Sequence, residues 1–214
     1  MVALAQAIGR TPSSIALKLV NFASLDPELQ GRGIGGMGNT SEADRSVWAE
    51  FYGRWEELAE ASIQASTEPN DIEQQTPAGP TEVLREVRQR RGQSFFRAAV
   101  LAAHDSTCCV TGIKSAALLR ASHIVPWSAD ESLRLDPRNG LCLNALHDAA
   151  FDRGMIAVND EGELILSTSL KDTVPQEVYA TMFERYDGQA IRLPQRFRPL
   201  ADMFSRHRNR VFAA

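Results

Sequence analysis

The stretch from 118 to 154, LLRASHIVPWSADESLRLDPRNGLCLNALHDAAFDRG, limits what this chain can fold into more than any other part of it. Two short apolar runs, LLRASHIVPW and GLCLNAL, are separated by turn-forming residues, a pattern typical of two hairpin strands joined by a long loop. The segment HDAAFDRG then predicts a short helix that begins near His147 and ends at Gly154. We therefore expect the order strand, loop, strand, helix.

Three polar residues stand at the junctions of these elements. His123 lies on the first predicted strand, Asn139 precedes the second, and His147 opens the helix. Hydrolysis of a phosphodiester needs a base that activates water and a divalent cation that stabilises charge on the phosphate. A neutral histidine can be that base near pH 7, and an amide can hold the loop that faces it. Taken singly, each residue also has a structural explanation, as a core histidine, a turn asparagine and a solvated helix start.

Taken together, the motifs SHIVPW, RNGLCL and LHDAAFDRG within Cys108 to Val158 resemble the HNH endonuclease family, whose ββα-metal fold cuts DNA with a bound divalent ion. The resemblance implies that His123 is the general base and that Asn139 orients the base and stabilises its loop. It implies that His147 is a catalytic metal ligand, so that the two histidines converge on one phosphate. The implied cofactor is Mg²⁺ or Mn²⁺, with Ni²⁺, Co²⁺ or Zn²⁺ as alternatives.

One position departs from the family pattern. The residue before the base is usually an aspartate or histidine that binds the ion, and here it is Ser122. Because a hydroxyl is a poor substitute for a carboxylate on a hard cation, either a further oxygen ligand comes from the short helix, or the ion binds weakly and is recruited with the DNA phosphate. The expected metal set is His147, Asp152 and Ser122, with Asp148 as the alternative to Asp152. Asp152 can instead hold the following turn.

The three cysteines form no CxxC pair, although relatives that carry zinc have one near Cys109. We therefore expect reduced, buried thiols and no structural zinc.

The segment ASIQASTEPNDIEQQTPAGP, from 61 to 80, is rich in proline and polar residues and predicts a linker or extended arm. It separates a small helical domain, 1–60, from an HNH nuclease domain with a basic C-terminal extension, 81–214. The expected fold class is α+β: a ββα-metal HNH nuclease domain with flanking helices and an additional β-hairpin at MIAVNDEGELILS, preceded by the helical domain.

The N-terminal segment VALAQAIGRTPSSIALKLVNFASLD predicts two helices, with a break at Gly9 and a strong start at Thr11 and Pro12. Such a pair resembles a helix-turn-helix DNA reader, although a plain helical bundle makes the same pattern. A further helix is expected from Thr40 to Leu58. The segment IGRTPSSIALKLVNFASLDPE also resembles the leader of bacterial HNH proteins of the restriction or phage-defence type.

The net charge of −4 hides a local excess of basic residues. Arginines and lysines outnumber acids from 82 to 120 and again from 192 to 210. One or two helices, interrupted by Gly92, are expected from Thr81 to His104. These segments are either a phosphate-facing surface or solvated helix faces. The candidate nucleic-acid contacts are Arg120, Lys18, Arg88 and Arg91.

The leading functional hypothesis is a metal-dependent endonuclease that cuts double-stranded DNA in restriction or phage defence. The alternatives are a catalytically weak or inactive DNA-binding or interaction protein that keeps the HNH fold, and a nuclease that acts on RNA. Because one such site cuts one strand, a double-strand break needs a homodimer or two visits. No apolar run approaches the roughly 18 to 20 residues of a membrane span, and no signal peptide is recognised, so a cytoplasmic protein is expected.

Overall fold

The computed structural model describes residues 2–36, 39–66 and 81–213, and their side chains except at 3, 63, 66 and 81–88. The chain divides into two compact units, residues 1–58 and 59–214. Most of the predicted linker, residues 67–80, lies outside the described residues. In this described part, no helix is both long enough and apolar enough to cross a membrane.

The first unit is helical. Its helices are α1 (Val2–Ala7), α2 (Pro12–Ala23), α3 (Pro27–Gly31), α4 (Glu42–Phe51) and the start of α5 (Trp55–Ser66). Helix α2 begins where the sequence predicts, because the Thr11 hydroxyl accepts a hydrogen bond from the Ser14 amide at 3.2 Å.

The prediction of a single helix from Thr40 to Leu58 is wrong. The helix ends at Phe51, and a new helix begins at Trp55. Between them Gly53 has a φ of 75°, which lies outside the right-handed helical region. Helix α5 continues to Ser66, so residues 61–66 are helical and do not begin the expected linker.

Helix α6 (Thr81–Ala103) lies in the larger unit and runs without a break through Gly92. The predicted interruption at Gly92 is absent. The glycine stays helical, and its missing side chain leaves room for Leu135 to pack against the helix. A Cβ at this position would lie 3.1 Å from Cδ2 of Leu135, so a larger residue would push that side chain away.

Two strands and a helix follow in the predicted order. Strand β1 (Leu119–His123) pairs antiparallel with β2 (Gly140–Asn144), and α7 (Ala145–Asp152) follows at once. Asn144 caps α7, since its Oδ1 accepts hydrogen bonds from the amides of Leu146 and His147 at 3.0 Å each.

The register of the hairpin sets His123 opposite Gly140. A Cβ on Gly140 would overlap Phe96 and Val100 of α6, so this glycine lets α6 pack directly against the hairpin. The helix thereby covers the sheet beside His123.

The rest of the unit comprises the predicted second hairpin, β3 (Ile156–Val158) with β4 (Leu164–Leu166), and two helices, α8 (Gln176–Met182) and α9 (Ala201–Arg210). The α+β class is therefore confirmed. The core lies between α6, the first hairpin and α7, and all three cysteines are free and buried. Fully buried side chains include Phe96, Leu119, Ile124, Leu141, Leu143, Phe151 and Ile156.

Candidate active site

A cavity of about 480 Å³ opens between β1, α7 and α9. It brings together five residues that the sequence singles out, Arg120, Ser122, His123, Asp148 and Asp152, and it does not include Asn139 or His147. Its lining residues are Arg120, Ala121, Ser122, His123, Pro126, Trp127, Asp148, Asp152, His207 and Val211.

His123 is held in one orientation. Its Nε2 lies 2.9 Å from the carbonyl oxygen of Arg134, and since a carbonyl only accepts, Nε2 carries the hydrogen. Its ring stacks on Phe96, with centroids 3.8 Å apart and planes 8° apart, and meets the edge of Trp127 at 5.5 Å. Nδ1 is therefore the acceptor nitrogen, and it has no hydrogen-bond partner among the described residues.

Burial lowers the pKa of His123, and the hydrogen bond to the Arg134 carbonyl offsets this only in part. The imidazole is therefore neutral near pH 7. A neutral ring with an available lone pair is the form that can remove a proton from water.

Asn139 acts on the loop and does not line the cavity. It is 1% exposed, and its Oδ1 accepts from the Val125 amide at 2.8 Å. Its Nδ2 donates to the carbonyls of Val125 at 3.0 Å and Leu133 at 3.1 Å. These bonds tie both ends of the loop that carries the Arg134 carbonyl, so Asn139 can orient His123 through the backbone.

Helix α7 presents two carboxylates to the cavity. Asp148 and Asp152 are four residues apart, so they lie on one face of the helix. Burial raises the pKa of Asp148, and the pKa of Asp152 is raised by burial and then by the charge of Asp148. Two like charges at one wall repel each other, and this repulsion favours the binding of a cation.

Ser122 lies between strand β1 and this carboxylate pair. Its side chain is buried, and its hydroxyl donates to Oδ1 of Asp152 at 3.5 Å. The same hydroxyl offsets part of the rise that burial causes in the pKa of Asp148.

His147 lies in a different environment, and the expected convergence of His123 and His147 is not present. His147 is 0% exposed. Its Nε2 donates to the carbonyl of Met182 at 2.8 Å, and its Nδ1 accepts from Nδ2 of Asn144 at 2.8 Å. Both nitrogens are occupied by protein groups, so the ring has no lone pair left for a metal ion.

The reason is the helical period. His147 and Phe151 are four residues apart and share the buried face of α7, while the next residue in each turn, Asp148 or Asp152, faces the cavity. Phe183 packs against the His147 ring at 5.1 Å between centroids.

The oxygen atoms of Asp148, Asp152 and Ser122 are ligands of the kind that a hard divalent cation prefers. Among the described residues, no three histidine, cysteine, aspartate or glutamate side chains are grouped closely enough to hold a metal ion by themselves. Mg²⁺ is commonly held by one or two carboxylates, with waters and substrate phosphates as the other ligands. The geometry therefore favours Asp148, Asp152 and Ser122 as the metal-facing residues in place of a set that includes His147.

The four candidate nucleic-acid contacts belong to three elements, α2, α6 and β1. Arg120 lines the cavity, with Nη1 bonded to the carbonyls of Ala117 at 3.2 Å and Leu119 at 2.9 Å. Arg91 is exposed on α6. Lys18 forms an ion pair with Asp44 at 2.7 Å in the first unit, and the side chain of Arg88 lies outside the described residues.

His207 is the cavity residue that sequence reasoning missed. It is 2% exposed, and its Nε2 donates to the carbonyl of Phe151 at 3.1 Å. Its ring also stacks on Phe151 at 3.8 Å between centroids. The partner of His207, the carbonyl of Phe151, lies 56 residues earlier in the chain, so no local sequence pattern indicates the contact.

Comparison with known proteins adds one match. A family model described as HNH endonuclease matches residues 108–159, which include β1, β2, α7 and β3. No curated protein matches the chain.

Proposed function

We propose that this protein is a metal-dependent endonuclease that hydrolyses double-stranded DNA, with His123 as general base, since residues 108–159 match a family model described as HNH endonuclease. The observation that carries this proposal is the single free lone pair of His123. Its Nε2 is tied to the Arg134 carbonyl, and the ring shares a cavity with the carboxylates of Asp148 and Asp152.

The chain's own groups account for the proton transfer. Nδ1 of His123 takes a proton from the attacking water, and the Arg134 carbonyl stabilises the imidazolium that results, because the Nε2 hydrogen bond strengthens when the ring is charged. Stacking on Phe96 and the edge of Trp127 hold the ring plane, so the lone pair keeps its direction.

Asp148 and Asp152, with Ser122, would hold the cation. When bound, Mg²⁺ or Mn²⁺ supplies positive charge that stabilises the phosphate and the departing 3′ oxygen. The Ser122 hydroxyl donates to Asp152 and so orients that carboxylate. Arg120 lines the same cavity from β1 and would contact a phosphate oxygen.

The proposal extends to a role in restriction or phage defence, which the resemblance of the N-terminal segment supports. One cavity of this kind cuts one strand, so a double-strand break would come from a homodimer or from two successive cuts. Cells that express the wild-type chain should reduce phage plating relative to cells that express His123→Ala, if defence is the role.

The decisive experiment compares the wild type with His123→Ala on supercoiled plasmid in Mg²⁺ and in Mn²⁺. The wild type should give nicked or linear DNA, EDTA should stop the reaction, and the variant should be slower by about 10²-fold to 10⁴-fold. Lys171→Ala, an exposed substitution outside the cavity, is the control and should cut like the wild type. Circular dichroism checks that His123→Ala is folded.

A second candidate is a DNA-binding or interaction protein with a weak or inactive centre, and Ser122 is the observation that favours it, because it replaces a charged ligand. Equal behaviour of wild type and His123→Ala on every metal and DNA substrate would establish this candidate. Cleavage confined to RNA would keep the catalytic centre and replace the substrate.

A further inference from the structure

A second cavity, of about 900 Å³, lies in the larger unit and shares no lining residue with the candidate active site. The end of α6, the turn that follows it and the segment 192–197 form its walls. Its volume is within the range of sites that take a small molecule of nucleotide size.

The walls carry an excess of positive charge, although the chain as a whole is acidic. Lys114, Arg192 and Arg196 line the cavity, and Asp105 is the acidic residue among its lining side chains. The guanidinium of Arg196 lies over the ring of Phe197, 4.7 Å from its centroid. Such a cluster attracts an anion by its local field.

Arg192 is held in place before any ligand arrives. Its Nη1 donates to the carbonyl of Val110 at 3.2 Å, and its backbone amide donates to the carbonyl of Cys109 at 2.8 Å. The guanidinium also lies 3.2 Å from the position of a Cβ on Gly112, so the glycine makes room for it. Within the described chain, neither Arg192 nor Lys114 has a carboxylate at salt-bridge distance, so both keep donors for an anion.

His104 belongs to the buried wall of the cavity. It is 7% exposed, and its Nε2 has no hydrogen-bond partner in the part of the chain that the structure describes. Because this nitrogen has no accessible surface, the basic side chains are the groups that a ligand can reach.

We propose that this cavity binds a phosphate ester of nucleotide size. Arg192 and Lys114 take the phosphate, and Ala99, Ala102 and Leu193 supply apolar surface for the nucleoside. The ligand is either a free nucleotide or a nucleotide of a nucleic acid bound outside the catalytic cavity.

The test measures the binding of AMP, adenosine and inorganic phosphate to the full-length chain by calorimetry. AMP should bind at least about 10-fold more tightly than adenosine, since the phosphate contacts are charge-assisted. Lys114→Gln and Arg192→Gln should each weaken AMP binding about 5-fold to 10-fold, and the control Lys171→Gln should leave it unchanged. Because Lys114 is exposed, its variant tests the proposal even if Arg192→Gln folds poorly.

A second arm separates the two sources. Binding of a short DNA duplex is measured against salt in a His123→Ala background, where no cleavage interferes. If the site serves nucleic acid, Lys114→Gln should lower the salt slope by about 1. If it serves a free nucleotide, duplex binding should not change while AMP binding weakens by the same about 5-fold to 10-fold.

The proposal is overturned if the wild type binds neither AMP nor phosphate and duplex binding is equal in both variants and the control. It is also overturned if AMP binds equally to all of these proteins. None of these measurements needs cleavage, so failure of the nuclease proposal would leave them interpretable.

Discussion

The surroundings of His123 and His147 differ more than their positions in the sequence suggest. Both side chains are largely buried, and burial lowers the pKa of both, so both rings are neutral near pH 7. His123 has one nitrogen bonded to a carbonyl and one available lone pair beside a cavity. His147 has both nitrogens bonded to protein groups and no exposed surface.

This difference teaches that the free lone pair, and not the residue type, decides which imidazole can do chemistry. The same hydrogen bonds that make His147 unavailable join the start of α7 to the end of α8, through Asn144 on one side and Met182 on the other. We infer that His147 stabilises the fold while the neighbouring carboxylates face the cavity.

The largest expected effect comes from the carboxylate face of α7. Asp148→Asn and Asp152→Asn should each slow plasmid cleavage by about 10²-fold or more, because even outer-shell partners of a metal ion cost up to about 100-fold when removed. Calorimetric titration with Mn²⁺ should show the matching loss of affinity.

Asp172→Asn, which changes an exposed carboxylate outside the cavity, is the matched control and should behave like the wild type. Unchanged Mn²⁺ affinity in both α7 variants would remove these carboxylates from the proposed centre.

The next effect concerns stability. His147→Leu removes the acceptor nearest to Nδ2 of Asn144, which keeps Oγ1 of Thr111 at 3.3 Å, and takes the imidazole donor from the carbonyl of Met182. The free energy of unfolding should therefore fall by about 1 to 3 kcal/mol. Cleavage per folded molecule should persist below the unfolding transition. Urea denaturation and plasmid cleavage on the same samples check both. Lost cleavage with unchanged stability would restore His147 as a metal ligand and break the comparison.

Acid should destabilise the protein through two other buried histidines. Burial lowers the pKa of His104 and of His207 to about 4. Between pH 6.5 and 4 the unfolded chain therefore binds protons that the folded chain does not, and the free energy of unfolding falls by up to about 3 kcal/mol for each histidine. Above pH 6.5 neither contributes to pH dependence.

Urea denaturation at pH 7.5, 5.5 and 4.5 measures this loss. His207→Phe keeps an aromatic ring against Phe151 and should reduce the loss on acidification. The same slope in variant and wild type would show that His207 is not the titrating group.

The smallest expected effect comes from a substitution of His207, the residue of α9 that lines the cavity. His207 bonds the carbonyl of Phe151, the residue before Asp152, so it positions the end of α7. His207→Phe should weaken Mn²⁺ binding by less than about 10-fold and leave the rate at saturating metal unchanged, since no ligand is removed. A loss of rate at saturating Mn²⁺ would instead give His207 a direct part in the reaction.

Local patterns predicted much of the fold. The two strands and the helix after them follow from apolar runs and turn residues, and the start of α2 follows from Thr11 and Pro12. Errors arose where a glycine had two possible uses. Gly92 lies inside a continuous helix because Leu135 packs on it, whereas Gly53 breaks a helix that was expected to continue.

For the candidate site, the sequence by itself determined which residues share a face: the spacing of Asp148 and Asp152 puts them on one side of α7, and that of His147 and Phe151 puts them on another. Only the tertiary structure decided which side of α7 faces the cavity. The carbonyl of Met182, 35 residues further along the chain, accepts a hydrogen bond from the His147 ring in the interior. The Arg134 carbonyl and His207 reach the site in the same way, through contacts between distant segments that no local pattern records.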